Sequence, residues 1–258
     1  MKLAVTGKGG VGKTTVVAGL ARVLAERGQK VLAIDADPAS NLATALGFSK
    51  GQRLIPIAEM KELIEERTEA KPGSMGGFFK LNPRVDDLPD KYTLENDGIR
   101  LMVMGTVQKG GGGCVCPENV MVRTLVSHLL LSRGEVVILD MEAGVEHLGR
   151  ATARAVDKLI VVVEPGQRSL QVAQKIRQLA ADIGLKNIGL VGNKIRQKAD
   201  EEFLLSHMPD FRFLGFLPYD PRVVEADLGG LPPFLNNPEF LKGMGKIVDK
   251  IGAGGTGV

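Results

Sequence analysis

Two short motifs in this 258-residue sequence carry residue types that could do chemistry. The first is GKGGVGKTT, from Gly7 to Thr15, which matches the pattern G-x-x-x-x-G-K-[ST] of a phosphate-binding loop. The second is Cys114-Val115-Cys116, which holds the only two cysteines of the chain. The loop indicates a nucleotide, and two close thiolates supply half of a tetrahedral soft-metal site. Together the motifs predict a protein that uses a nucleotide to move or gate a metal ion.

The phosphate-binding loop stands between a predicted strand and a predicted helix, which is the context that this motif requires. Its glycines let backbone N–H groups converge on phosphate oxygens, and the helix N-terminus adds a positive potential. We expect Lys13 to reach the β- and γ-phosphates, Thr14 to bind Mg²⁺ through its hydroxyl, and Thr15 to lie beside the α-phosphate. The loop residues predicted to bind the nucleotide are Gly9, Gly10, Val11, Gly12, Lys13, Thr14 and Thr15.

Carboxylates follow two further predicted strands, at the end of a parallel sheet where ligands bind. They belong to Asp35-Ala36-Asp37-Pro38 and to Asp140. We expect them to hold Mg²⁺ through water and to orient an attacking water. Capping of the next predicted helix is an alternative role for Asp37, and it is compatible with catalysis. Asp140 also begins a D-x-x-x-G pattern, in which Gly144 can approach the γ-phosphate.

The cysteine pair cannot complete a tetrahedral site within one chain, because such a site needs four ligands. Two thiolates from each of two subunits, related by a two-fold axis, would supply them, so the pair favours a homodimer. Pro117 begins a predicted helix directly after the pair, and a helix N-terminus favours the thiolate form. A redox or cluster-binding pair is one alternative, and two unreactive buried cysteines are another.

Apolar runs alternate with amphipathic segments along most of the chain. The runs predicted as strands are 2–6, 31–34, 99–104, 136–139, 159–163, 188–191 and 213–217. The segments predicted as helices include 16–27, which ends at Gly28, together with 57–66 and 170–183. This alternation predicts an α/β fold with a mostly parallel sheet that is flanked by helices on both faces.

We expect a single domain over residues 1–251, with 49–113 as an irregular insertion that leads to the cysteine pair and 252–258 as a flexible tail. The hydrophobic content of 44% fits an ordinary globular protein. The net charge of +3 comes from dispersed basic residues, so no nucleic-acid partner is expected. The sequence shows no secretory stretch and no apolar span of membrane length, so we expect a cytoplasmic protein without a membrane partner.

Lys8 adds a second lysine at the start of the phosphate-binding loop. The resulting pattern K-G-G-x-G-K-[ST] resembles the deviant Walker A loop of the MinD/ParA/nitrogenase-iron-protein class of ATPases. This resemblance implies that Lys8 reaches across a dimer to the nucleotide of the other subunit, and that Asp37 positions the hydrolytic water. It implies further that Asn193 reads adenine and that the segment around Pro218 contacts the base. The catalytic set predicted in this way is Lys8, Lys13 and Asp37.

Two of these residues have plainer alternatives. In the alternative interpretation, Lys8 is a solvent-facing lysine without a role at the nucleotide, and Asn193 is a turn residue after a strand.

A more specific resemblance rests on six motifs that occur in a fixed order. They are the phosphate-binding loop, Asp35 to Pro38, the cysteine pair, the stretch DMEAGVEHL from Asp140 to Leu148, Asn193-Lys194 and Leu217-Pro218-Tyr219. Together they resemble the CooC-type ATPases that assist the maturation of carbon monoxide dehydrogenase and acetyl-CoA synthase. The resemblance implies a Mg²⁺-dependent ATPase that binds ATP and ADP and forms a homodimer.

That dimer would bind Ni²⁺, or Zn²⁺ in vitro, through Cys114 and Cys116 of both subunits. The resemblance implies that the nucleotide state controls dimerisation. It also implies that hydrolysis accompanies nickel delivery to the client, carbon monoxide dehydrogenase or acetyl-CoA synthase.

Three other functions are compatible with the same fold class. A MinD/ParA-type positioning ATPase finds its support in the apolar stripe from Phe240 to Ile251, although such a stripe also marks a helix packed on a sheet. An electron carrier like the nitrogenase iron protein would hold an interfacial Fe–S cluster on the cysteine pair. An amide-forming synthetase would need a pocket for a carboxylate substrate, which the sequence does not reveal.

Overall fold

The computed structural model describes residues 1–37, 41–49, 54–72, 79–105, 116–145, 148 and 150–253, with only the backbone of residues 150 and 151. The described strands are β1 (Lys2–Gly7), β2 (Val31–Asp35), β3 (Leu94–Asn96), β4 (Ile99–Val103), β5 (Val136–Asp140), β6 (Lys158–Val163), β7 (Ile188–Ile195) and β8 (Arg212–Pro218). The described α-helices are α1 (Lys13–Glu26), α2 (Leu42–Ala45), α3 (Lys61–Thr68), α4 (Leu88–Lys91), α5 (Pro117–Ser132), α6 (Arg150–Ala153), α7 (Gln167–Asp182), α8 (Lys198–His207), α9 (Pro221–Gly229) and α10 (Pro238–Gly252).

These strands form one sheet in the order β3-β4-β2-β5-β1-β6-β7-β8. Neighbouring strands run parallel, except that β3 pairs antiparallel with β4. The predicted α/β class with a mostly parallel sheet is therefore confirmed. The described part of 49–113 contributes β3 and β4 to this sheet, as well as α3 and α4.

Two apolar cores lie on opposite faces of the sheet, because alternate side chains of a strand point to opposite sides. In β1, Leu3 and Val5 join the core beneath α1 and α10, while Ala4 joins the core beneath α5 and α7. Every residue of β1, β2, β5 and β6 is buried, which explains why these strands read as continuous apolar runs.

Helix α10 packs on α1 and β8 through the apolar stripe identified in the sequence. Its buried side chains are Phe240, Met244, Ile247, Val248 and Ile251. Gly19 of α1 permits this close approach, because a Cβ atom there would lie 2.7 Å from Cγ of Met244. The stripe is therefore part of the core, as expected for a helix docked on the sheet. No helix in the described part of the chain is both long and apolar enough to cross a membrane.

The parallel strands bring their carboxyl ends to one edge of the sheet. The loop after β1, the carboxylates that end β2 and β5, and the residues that follow β6 and β7 all meet there. Parallel sheets bind ligands at this edge.

Candidate nucleotide-binding site

The loop from Gly7 to Gly12 joins β1 to α1, and three of its glycines adopt positive φ angles. Gly10 and Gly12 have φ of 79° and 95°, a region that other residues rarely adopt. A Cβ atom at Gly7 would lie 2.4 Å from the carbonyl oxygen of Val162 in β6. The glycines therefore set the path of the loop, and Gly12 is the N-cap of α1. No acidic residue occupies the first turn of α1, so its N-terminus offers N–H groups and a positive potential to an anion.

Lys13 is the first residue of α1 and is buried, with 8% of its side chain exposed. Its Nζ lies 3.9 Å from Oδ2 of Asp37, so the structure brings together these two residues of the predicted catalytic set. The backbone N–H groups of Asp37 and Leu42 donate to the two carboxylate oxygens of Asp35, at 3.2 Å and 3.1 Å. The N–H of Leu42, the first residue of α2, is thus bound by Asp35.

Asp140 ends β5 beside Asp35 of β2, and the two residues are in register. The Asp140 side chain is 1% exposed, and neither carboxylate oxygen has a hydrogen bond of normal geometry within the described structure. The pKa of Asp140 is raised to about 7, chiefly because burial disfavours its charged form. The nearby Thr14 hydroxyl opposes this shift, and the Asp35 carboxylate reinforces it.

A buried carboxylate without a hydrogen bond of normal geometry indicates a site for a ligand or an ion. Hydrated Mg²⁺ fits the Asp140 position, since hard oxygen donors are the ligands it prefers and the Thr14 hydroxyl is adjacent.

Two consecutive residues of β7 donate hydrogen bonds to the phosphate-binding loop. The side-chain amide of Asn193 donates to the carbonyl oxygen of Val11 at 2.8 Å, and Nζ of Lys194 donates to that of Gly10 at 2.6 Å. Side chains normally alternate along a strand. Here the pairing of β7 with β8 is irregular between Gly192 and Ile195, and Lys194 has a φ of 59°. This local break lets both side chains face the loop.

Lys8 lies on the same side of the loop and pairs with Glu164, which follows β6. Its Nζ is 3.0 Å from Oε1 of Glu164, while Oε2 of that carboxylate is 3.2 Å from Nζ of Lys194. Glu164 therefore joins the two lysines. The sequence patterns assign no role to Glu164 or Lys194. A signal for Glu164 does exist, because it directly follows the buried strand β6, much as Asp35 and Asp140 end β2 and β5.

The segment after β5 is tied to β1 through Thr6. The Thr6 hydroxyl accepts a hydrogen bond from the N–H of Gly144 at 3.1 Å and donates to the carbonyl oxygen of Glu142 at 2.6 Å. Thr6 is fully buried in β1, so Gly144 is anchored next to the phosphate-binding loop. This anchor was also not foreseen, because a lone threonine in an apolar strand gives no distinctive signal.

The predicted base-contacting segment lies beside the end of β7. Pro218 ends β8, and the N–H of Tyr219 donates to the carbonyl oxygen of Ile195 at 2.8 Å. The guanidinium of Arg196 lies 4.0 Å from the centre of the Tyr219 ring. A cavity of about 250 Å³ opens here, lined by Pro218, Tyr219, Asp220, Arg222, Glu239 and Phe240.

Cys116 is the N-cap of α5, and Pro117 begins that helix as predicted. Cys114 lies outside the described residues, and so does the rest of the approach from Thr106. Within the described residues, no group of three or more His, Cys, Asp or Glu side chains is placed to hold a metal ion. Cys116 is partly exposed and is not in a disulfide.

Comparison with known proteins adds to this geometry. Residues 2–234 match the model of the CobQ/CobB/MinD/ParA nucleotide binding domain family. The chain is 50% identical to the carbon monoxide dehydrogenase accessory protein CooC of Rhodospirillum rubrum over 90% of this chain and 88% of that protein. It is 47% identical to an uncharacterised ATP-binding protein of Methanocaldococcus jannaschii, over 90% of each chain.

Among solved structures, the MinC:MinD cell division protein complex of Aquifex aeolicus contains a similar chain. Its TM-score is 0.71 at 19% identity, with 100% of this chain and 97% of that chain covered. At this identity the likeness concerns the fold alone.

Proposed function

Since the chain belongs to the CobQ/CobB/MinD/ParA nucleotide-binding family and, within it, to the CooC-type ATPases, we propose that it is a nickel-inserting accessory ATPase. It is an ATPase, and the proposed client is carbon monoxide dehydrogenase or acetyl-CoA synthase. ATP would drive homodimerisation, and Cys114 with Cys116 from both subunits would hold the nickel cargo. The name of the relative in Rhodospirillum rubrum favours carbon monoxide dehydrogenase as the client. We place the protein in the cytoplasm, without a nucleic-acid or membrane partner.

The position of Cys116 carries the link between nucleotide and metal in this proposal. Helix α5 runs back across the sheet before β5, so its first residue lies at the edge where β5 ends in Asp140. Cys116 caps that helix and therefore belongs to the same edge of the sheet as the phosphate-binding loop. A change in the nucleotide site and a change around the cysteine would then occur in one connected surface.

The chain's own residues divide the hydrolytic work. The backbone N–H groups of the loop and Lys13 would bind the phosphates, and Asp37 would orient the attacking water. Asp140 and Thr14 would hold Mg²⁺, which when bound neutralises charge on the β- and γ-phosphates. Lys8 would contact the nucleotide of the other subunit, which makes each catalytic site incomplete without a partner. Asn193 and Pro218 would contact the adenine base of the nucleotide.

Release of the γ-phosphate would remove contacts to Asp37 and to Gly144, which is hydrogen-bonded to Thr6 of β1. Such contacts order switch segments before hydrolysis and release them afterwards. The cysteine site would then open towards the client. Thiolate ligands suit nickel and zinc better than harder ions, which agrees with the cargo proposed.

The test is the stoichiometry of nickel per chain, measured by elemental analysis without nucleotide, with ADP and with ATP. We expect half a nickel per chain in the dimer, and loss of that nickel in a Cys114→Ser/Cys116→Ser variant. The matched control is His207→Gln, which changes an exposed potential ligand far along the chain and should keep the nickel. A double cysteine variant that still binds one nickel per dimer tightly would refute the cysteine site.

A brown, air-sensitive protein with iron and sulfide would instead favour the electron carrier. Sedimentation with liposomes or DNA in the presence of ATP would favour the positioning ATPase.

A further inference from the structure

Glu164 connects two partly exposed lysines of the site. Its carboxylate lies between Nζ of Lys8 at 3.0 Å and Nζ of Lys194 at 3.2 Å. Lys8 follows β1, Glu164 follows β6 and Lys194 lies in β7, and these three strands are neighbours in the sheet. The ion triad is thus a consequence of strand order, and it forms within one subunit.

The two lysines are held differently. Lys194 has a second anchor, because it also donates to the carbonyl oxygen of Gly10 at 2.6 Å. For Lys8 Nζ, the hydrogen bond to Glu164 is the only one found within the described part of the chain. The Lys8 side chain is 34% exposed, so it can swing into solvent once that hydrogen bond is broken. Lys194 is a fixed member of the triad, and Lys8 is a removable one.

The carboxylate remains charged in this setting. Partial burial alone would raise the pKa of Glu164, but the hydrogen bonds from Lys8 and Lys194 outweigh it and lower the pKa. Glu164 therefore attracts Lys8 throughout the neutral pH range.

We propose that Glu164 is a positioning residue that retains Lys8 in its own subunit and so opposes association of the two subunits. The inference rests on the proposed function, in which Lys8 reaches the nucleotide of the other subunit. Lys8 must then exchange the Glu164 carboxylate for the phosphates across the interface. Lys194 stays with Glu164 after that exchange, so the carboxylate is not left without a counter-ion. Glu164 in this way raises the nucleotide occupancy that is needed before a dimer forms.

The test uses Glu164→Gln, which keeps the shape of the side chain and removes its charge. We expect the dimer dissociation constant of the metal-free protein, with Mg²⁺ and a non-hydrolysable ATP analogue, to fall roughly threefold to tenfold. Sedimentation equilibrium measures this constant. A residue that merely supports the fold could not produce this result, since structural damage weakens association. An unchanged or weaker dimer would overturn the inference, because it would mean that Glu164 is neutral or orients Lys8 favourably.

A matched control is Glu202→Gln, which removes the carboxylate of an exposed ion pair with Lys198 on α8. Its dimer constant should equal that of the unmodified chain. Glu164→Asp is the second variant, in case the glutamine does not fold. Its shorter carboxylate cannot reach both lysines, so it should tighten the dimer by a smaller factor, and no tightening in either variant contradicts the inference.

Lys8→Met separates this inference from the function on which it rests. The proposed function predicts that Lys8→Met stays monomeric with the ATP analogue, while the unmodified chain dimerises. If the unmodified chain also stays monomeric, the proposed function fails, and the inference falls with it. If dimerisation depends on Lys8 but is indifferent to Glu164, only the role of Glu164 is wrong.

Discussion

The side-chain amide of Asn193 donates a hydrogen bond to the carbonyl oxygen of Val11, so the end of β7 supports the phosphate-binding loop directly. Asn193 is 8% exposed, and its Nδ2 would lie only 2.4 Å from a Cβ atom at Gly12. The expected role of this asparagine is to read adenine. Its position gives it a second role, because it supports the loop whose N–H groups we expect to bind the phosphates.

Asn193→Ala should therefore destabilise the nucleotide-free protein. Removal of the amide leaves the buried Val11 carbonyl oxygen without its donor, which costs about 1–3 kcal/mol of the free energy of unfolding. Urea denaturation without nucleotide measures this loss. Gln174→Ala removes an amide from an exposed position of α7 and serves as the control, with an unchanged free energy. Equal stability of Asn193→Ala and the control would show that the hydrogen bond does not support the loop.

The buried carboxylate of Asp140 should make stability fall as pH rises. Its folded pKa of about 7 lies above the value of 3.8 expected in the unfolded chain, so the folded state holds the proton longer. Stability from this group is complete below pH 4, is lost progressively between about pH 4 and pH 7, and is constant above that. Without nucleotide and Mg²⁺, Asp140→Asn should be more stable than the unmodified chain at pH 8, by up to about 4 kcal/mol.

Denaturation of both proteins at pH 5, 6, 7 and 8 tests this prediction, and the difference should shrink towards low pH. Asp182→Asn, on the exposed face of α7, should show a difference that does not vary with pH. Mg²⁺ with ADP should reverse the order, because it satisfies the aspartate and not the asparagine. A difference that is the same at every pH would contradict the buried, protonated carboxylate.

Gly7→Ala should severely weaken both folding and nucleotide binding. The added Cβ atom would lie 2.4 Å from the Val162 carbonyl oxygen, which belongs to β6 and cannot move without disturbing the sheet. Steric strain of this kind costs roughly 3 kcal/mol or more. Gly134→Ala is the control, since no atom lies within 4 Å of its added Cβ. Melting temperature and ADP titration report the effect, and a Gly7→Ala protein with normal values for both would disprove the close approach.

Much of the fold could be predicted from the sequence because buried parallel strands leave continuous apolar runs, as in β1, β5 and β6. The phosphate-binding loop follows β1, and Asp35 and Asp140 end β2 and β5, so their common edge of the sheet could be inferred from the apolar runs that precede them. The short strand β3 has no fully buried residue and was not predicted.

The interactions that join different strands could not be read from local patterns. Glu164, Lys194 and Thr6 act through partners that are 30 to 184 positions away in sequence, which only strand order brings together. The irregularity in β7 that turns Asn193 and Lys194 to the same side has no signal in a run of apolar residues.

The packing of α10 leads to a prediction that tests the alternative of a positioning ATPase, which the apolar stripe of this helix would support. Ile247 is 1% exposed and would lie 2.7 Å from a Cβ atom at Gly215 of β8, so it fills a close contact between helix and sheet. Ile247→Ala should lower the free energy of unfolding by about 2–5 kcal/mol, because it leaves a cavity. Lys246→Ala, the neighbouring substitution, should change the free energy of unfolding little.

Because the apolar stripe is used in packing, the unmodified chain should not sediment with anionic liposomes in the presence of ATP. ATP-dependent sedimentation would favour the positioning ATPase, and an Ile247→Ala variant as stable as Lys246→Ala would contradict the close packing of α10 on the sheet.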